Sequence, residues 1–398
     1  MHPTPGATQR VRDWARAALR VEAGLPPVDQ SGRGGVQTGA DLVAAVRRHR
    51  LVDLLDSHAR DLDLPAEVSD ALSELRASTK RGLMVQALEI AQVRDLLYAS
   101  GVPSLVVKGS ALAVQSAGDP VARGLGDIDL LVPVEFVEVV HSVLNEHGWK
   151  VDPSWAAAPG TWAWRQLLWS YNEMKFEGPA TTVDLHWRLD PTLDALPGFA
   201  EVWSRRETVD VGGVRMPTLS RRDALAHTCL HSAKDQWRWL RSLVDVHRLA
   251  RDPLLWEDRP LLRLEAETLA ITRELLDLPA EVPDRVRRRL DAVPARVLRR
   301  ATRTQEAPAM EADAFPGLES LRNVRYLVAA SATPRDITHS LVGIALPVQA
   351  VAGIEARTAW AGISLTLWRR IGTLWRRTFG WARRDRGSEP AKSLTRVP

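Results

Sequence analysis

Leu105 to Val132, LVVKGSALAVQSAGDPVARGLGDIDLLV, is the stretch whose reading decides the fold. Leu105, Val106 and Val107 form a short apolar run suited to a buried strand that ends at Lys108. Gly109 lets the backbone turn sharply and leaves room for a bulky anion beside the main chain. Ser110 occupies an N-cap-like position, at the positive end of a short helix where phosphate is favoured. In Asp127-Ile128-Asp129-Leu130-Leu131-Val132, period-two alternation puts both aspartates on one face of a second strand and Ile128, Leu130 and Val132 on the other. Two neighbouring carboxylates repel unless a cation lies between them, and hard oxygen ligands favour magnesium. A phosphate cradle beside a metal-binding acidic pair implies phosphoryl or nucleotidyl transfer.

The rest of the chain narrows the class. Its 398 residues, 45% hydrophobic, suffice for two or three domains. Cys229 is the single cysteine, which excludes an internal disulfide and Cys-rich zinc sites. No early apolar run of secretory type is read, and Ile337 to Ile354 is interrupted by His339, Pro347 and Gln349, so a soluble, cytoplasmic protein is expected. The net charge of +4 hides an uneven distribution. Ten Lys/Arg and three Asp/Glu fall after residue 339, leaving the remainder slightly acidic. Basicity therefore belongs to the tail, and a nucleic-acid partner is not expected.

An α+β fold is expected, with a small mixed sheet flanked by helices and helical regions at both ends. Residues 1–39, rich in Pro, Gly, Gln and Arg, read as partly disordered around a short helix at Trp14 to Val21. Residues 40–103 read as helical, including a helix over about Pro65 to Leu75 and a long one from Lys80 to Ala99. The core spans 104–219. Within it Pro133 opens a helix closed by Gly148, Tyr171 to Phe176 and Thr181 to Leu189 form a hairpin about Gly178-Pro179, and a second hairpin covers Val209 to Met216. Pairing of the first hairpin beside the Asp127 strand would make Asp184 a third carboxylate at the same place. Residues 220–300 form a helical domain, with Ser220 and Asp223 in capping-box positions. Residues 301–398 combine an irregular segment, 301–320, with a basic tail.

With Lys108-Gly109-Ser110, Asp127-Ile128-Asp129 and Asp184 placed, the chain resembles the DNA polymerase β-like nucleotidyltransferase superfamily. More closely, it is similar to a bacterial group of uncharacterised nucleotidyltransferase family proteins. The matching elements are Val107-Lys108-Gly109, Asp119-Pro120 with Arg123, Asp127 to Val132, Asp184-Leu185-His186-Trp187, and His231, Lys234, Trp237 and Asp245. The resemblance implies an NTP co-substrate and two Mg2+ (or Mn2+) ions held by Asp127 and Asp129, one also by Asp184. It implies further that Asp184 lies near the incoming hydroxyl as base or metal-assisted acidifier. The Gly109 amide and Ser110 hydroxyl would hold the β/γ-phosphates, with Lys108 and Arg123 offsetting triphosphate charge. The product would be an NMP, AMP from ATP being the first choice, on a small-molecule or protein hydroxyl. The Gly118 to Gly126 loop is longer than is usual in the superfamily and is expected to help select that acceptor.

Blander readings stand beside these. Asp-Ile-Asp alone would suit a solvated strand edge, and Lys108 a surface lysine. His227 and His231, one helical turn apart, lack the Glu of a zinc hydrolase, and His231, at a family position, reads as a packing or substrate contact. Trp237 and Trp239 are expected to pack helices onto the sheet, while Trp162, Trp164 and Trp169 are candidates for an acceptor pocket. Trp368, Ile371, Trp375 and Phe379 recur at helical spacing among arginines, which suits an anionic membrane surface, a polyanionic partner, or a terminal helix docked on the body. The alternative to an enzyme is a catalytically inactive nucleotide-binding or membrane-surface regulatory protein on the same fold.

Overall fold

A computed structural model describes residues 4–27, 37–257, 260–307, 316–331, 333–346, 351, 354–366 and 368–369. The chain is α+β and divides into two units: residues 1–152 with 172–344, and residues 153–171 with 345–398.

In the larger unit, α1 (Pro5–Glu22) begins well before the expected Trp14, because Pro5 starts the helix and Thr4 Oγ1 accepts from Ala7 N at 3.3 Å. Next come α2 (Gly39–His49), α3 (Val52–Ser57) and α4 (Ala66–Ala99). The expected break near residues 76–79 is absent: no proline interrupts this span, and Thr79 bonds back to Leu75 O within one continuous helix. Strand β1 (Leu105–Val107) then leads to α5 (Gly109–Ala117), β2 (Ile128–Leu131), α6 (Val137–Glu146) and β3 (Lys150–Val151).

The smaller unit contributes α7 (Trp162–Ser170), in which Trp162 N donates to Ala356 O at 2.8 Å. Trp162 and Trp164 are buried and Trp169 is 43% exposed. Ile371, Trp375 and Phe379 lie outside the described residues, so the expected tail helix does too.

The larger unit resumes with β4 (Glu173–Glu177), β5 (Thr182–His186), α8 (Phe199–Ser204), and the ribbon β6 (Glu207–Val211) and β7 (Val214–Thr218). Helices α9 (Arg221–Lys234), α10 (Leu240–Leu249), α11 (Arg263–Leu276), α12 (Asp284–Leu290), α13 (Ala295–Glu306), α14 (Pro316–Ala330) and α15 (Pro334–Ala345) follow. The stretch read as irregular, 301–320, is thus largely helical on either side of residues 308–315, which are outside the described ones.

The five-stranded sheet runs β1-β2-β5-β4-β3, with β2 and β5 parallel and the other pairs antiparallel. One side of it is covered by α9, α10 and α11, where Leu105, Val107 and Leu131 pack with Leu225, Cys229, Val246 and Leu269. A second core joins α1 to α4 with the C-terminal helices through Val11, Leu19, Leu54 and Leu72 against Leu243 and Ile271. Trp237 belongs to this helix-on-helix core, its Nε1 donating to Thr268 Oγ1 at 2.8 Å, and not to a seam with the sheet. Among the described residues no helix is long and apolar enough to cross a membrane.

Candidate active site

Parallel pairing of β2 with β5 sets Asp129 directly opposite Asp184. Partners in register share a face, and residues two apart share it again, so Asp127, Asp129, Asp184 and His186 project to one side of the sheet. Antiparallel pairing of β4 with β5 adds Glu173 opposite His186 and Lys175 opposite Asp184. Asp127, at the mouth of β2, accepts a hydrogen bond from Thr182 Oγ1.

The β1–α5 turn abuts this row. Lys108 takes φ 57° and ψ −147°, and Gly109 follows with φ +46°, a left-handed pair that swings the chain into the helix. A Cβ on Gly109 would lie 3.7 Å from Asp127 O, so the turn touches the start of the acidic strand. Helix α5 begins at Gly109, making Lys108 the cap position. Ser110 is therefore not the N-cap that the sequence suggested; it is the second helical residue, 4% exposed. As first-turn residues, Gly109 and Ser110 have amides without partners inside the helix.

Lys108 is not a loose surface lysine. Its Nζ donates to Asp129 Oδ1 at 2.8 Å. The same oxygen is 3.1 Å from His186 Nε2, and His186 Nδ1 is 3.2 Å from Glu173 Oε2. Burial alone would raise the Asp129 carboxyl, but the Lys108 ammonium and the His186 ring more than offset it and hold it well below the carboxylate range. For Lys108 the burial penalty is likewise outweighed, by Asp129 and Glu173, and its value is raised. Glu173 feels burial too, yet Lys234, His186 and Lys108 bring it down to about 2. Asp184 goes the other way: burial, and then the charges of Asp129, Glu173 and Asp127, push it up to about 6.

Helix α9 roofs this face with His227, His231 and Lys234. Burial, followed by the nearby Lys108, pulls both imidazoles well below their ordinary value, so they stand neutral over the site. Arg123 is brought into the same region but points at α10: Nη1 lies 2.9 Å from Asp245 Oδ2, both side chains almost fully buried. Arg123 is thus committed to an internal ion pair. Trp162, Trp164 and Trp169 belong to the other unit.

Glu173 went unread in the sequence. The alternation Glu173-Met174-Lys175-Phe176-Glu177 marks a polar face, but only strand order shows which face it joins. A cavity of about 630 Å³, lined by Asp194, Arg205, Arg222 and Asp223 among others, includes none of the carboxylates of this row.

Three carboxylates in adjacent register, one of them pushed up by burial and then by its like-charged neighbours, form a donor set of the type that hard divalent cations take. In the present side-chain arrangement, no three His, Cys, Asp or Glu groups among the described residues converge closely enough to hold an ion. Convergence would require Asp129 to exchange Lys108 for the cation. The residues fit such an ion in type and register.

The sequence matches the uncharacterised nucleotidyltransferase family over residues 38–302. Among solved structures, the lincomycin-bound lincosamide antibiotic adenylyltransferase LnuA is similar at 17% identity and a TM-score of 0.26, over 34% of this chain and 82% of that one. Comparison with curated proteins finds no match.

Proposed function

The chain belongs to the uncharacterised nucleotidyltransferase family, and from that premise we propose a metal-dependent enzyme of the DNA polymerase β-like superfamily. It moves an NMP, AMP from ATP in the first instance, onto a hydroxyl acceptor in the cytoplasm. What carries the reading is the register that sets Asp129 opposite Asp184, with Asp127 on the same face and the Lys108-Gly109-Ser110 turn against it.

In the reaction the acceptor oxygen attacks the α-phosphorus, the bond to pyrophosphate breaks, and the hydroxyl proton leaves. Asp127, Asp129 and Asp184 would hold magnesium or manganese, which when bound supplies positive charge against the leaving group. Asp184, in register with Asp129 on the same face, would take the hydroxyl proton. The first-turn amides of Gly109 and Ser110 would meet the terminal phosphates. Lys108, released from Asp129, would turn its charge toward them. Neutral His227 and His231 present hydrogen-bonding nitrogens to the bound nucleotide without adding charge.

Labelled ATP, GTP, CTP and UTP, each with magnesium or manganese, test this. Pyrophosphate release is expected from wild type and at least 100-fold less from Asp127→Ala and Asp129→Ala. Equal turnover by those variants would sink the metal-site proposal. A second reading, a nucleotide-binding protein without turnover, draws on the Lys108 and His186 contacts that already occupy Asp129. It would be supported by ATP binding that neither releases pyrophosphate nor responds to metal.

A further inference from the structure

Beside the loop that runs into the acidic strand lies a cavity of about 310 Å³. Its walls come from the end of α2, from α4 and from residues 121–125, and they carry Arg47, Arg50, Arg76 and Arg123. The single carboxylate on the wall, Asp53, is 2.7 Å from Arg76 Nε, and Asp56 and Asp119 also lie within 4 Å of that guanidinium. Arg76 is therefore neutralised from within the protein. Arg47 and Arg50 are exposed and have no carboxylate in ion-pair range among the described residues. The Arg50 guanidinium lies over the Trp239 ring, 5.6 Å from its centre.

Around Arg123 the positive groups outnumber their partners. Arg123 has Asp245 beside it, yet its buried Nε has no hydrogen-bond partner among the described residues. Arg241 donates from Nη1 to Arg123 O at 2.9 Å, and its own buried Nε is also without one. Burial, then the charges of Arg123 and Arg50, pull the Arg241 guanidinium well below its usual value; Asp245 and Asp129 oppose this only in part. Arg123 and Arg241 share Asp245 and are crowded further by Arg50, an arrangement that is costly unless something negative joins it. Planar forked donors suit phosphate and carboxylate oxygens, and the volume suits a small molecule.

The cavity opens beside the proposed chemistry. Leu125 is on its wall, and two residues later comes Asp127, a Cα separation of at most about 7 Å. None of Lys108, Gly109 or Ser110 lines it, so it is a compartment separate from the proposed nucleotide turn.

We infer that this arginine-lined cavity seats an anionic group of the acceptor, a phosphate or a carboxylate, and so presents the acceptor hydroxyl to the Asp127–Asp129 strand. The acceptor role rests on the nucleotidyl-transfer reading; the anion site does not. The acceptor is thereby a small acidic hydroxyl compound.

Calorimetric titration of the full chain with inorganic phosphate, with acetate, and with ATP plus magnesium tests this, alongside the charge-reversed double variant R47E/R50E. Both arginines are exposed, and R47Q/R50Q repeats the measurement should the reversal unfold the protein. Phosphate or acetate, whichever chemistry the site takes, is expected to bind wild type and at least tenfold more weakly to the variants, with ATP affinity changed less than twofold. Pyrophosphate release is expected to be stimulated by phosphorylated or carboxylated sugars over their neutral counterparts. Equal affinity of wild type and variants for both anions would overturn the site. ATP affinity falling in step with that of the anion would assign the cavity to the triphosphate and overturn the acceptor role. Anion binding as expected, but no pyrophosphate released from any NTP, would leave the anion site standing and remove the transfer reading.

Discussion

Asp245, on α10, illustrates what one buried charge commits a protein to. It is 1% exposed, 2.9 Å from Arg123 and 3.3 Å from Ser116 Oγ, and its charge also acts on Arg241. Asp245→Ala would leave Arg123 buried and uncompensated, a loss of about 3–5 kcal/mol that urea unfolding would register. Replacing both residues by methionine should recover much of that loss; a double variant as unstable as the single would disprove the pairing argument. At this scale the sequence was informative about Asp127, Asp129 and Asp184, because alternation fixes which side chains share a strand face. It was silent on Lys108, whose partner Asp129 is 21 residues away. It was equally silent on Arg123, which looked free for phosphate only because nothing local announces a partner on α10. Charge pairing across a fold leaves no local pattern to read.

Elements show the reverse balance. Apolar periodicity located β1, β2 and the β4–β5 hairpin, and Gly178-Pro179 located its turn, while the two-residue β3 went unread. Helix ends were read less well, since α1 and α4 both run further than local signals suggested, and tertiary burial decides such lengths. The hairpin turn carries its own constraint. A Cβ on Gly178 would run into the Trp149 indole and the Thr181 carbonyl oxygen, and Trp149 is fully buried. Gly178→Ala is therefore expected to cost about 1–3 kcal/mol through overpacking, read as a lower Tm. An unchanged Tm would mean that the turn is looser than these contacts imply. Because β5 carries Asp184, the same substitution should also lower turnover on the proposed reading.

For the whole molecule, buried imidazoles set the response to acid. His49 is brought down to about 3 by burial and by the positive Arg48 and Arg12, and His247 to about 3 by burial and Arg251. Both lie below the unfolded value of about 6.5, so the unfolded chain binds protons that the folded one refuses. Their contribution to stability is complete above pH 6.5 and is lost as the pH falls from there toward 3. Thermal unfolding should accordingly show Tm dropping between pH 6.5 and 5, with His49→Gln flattening the slope; a variant profile parallel to wild type would exclude His49. The parallel pairing of β2 with β5 has a consequence of another kind. A parallel neighbour cannot be reached by a tight turn, and here the chain travels from Asp129 through α6, β3, the smaller unit and β4 before Asp184 arrives. During synthesis, a nascent chain that has emerged only as far as residue 180 already carries the β1–α5 turn, Asp127 and Asp129. It still lacks the strand that sets Asp129 opposite Asp184, so on the proposed reading chemical competence would come only once β5 had emerged.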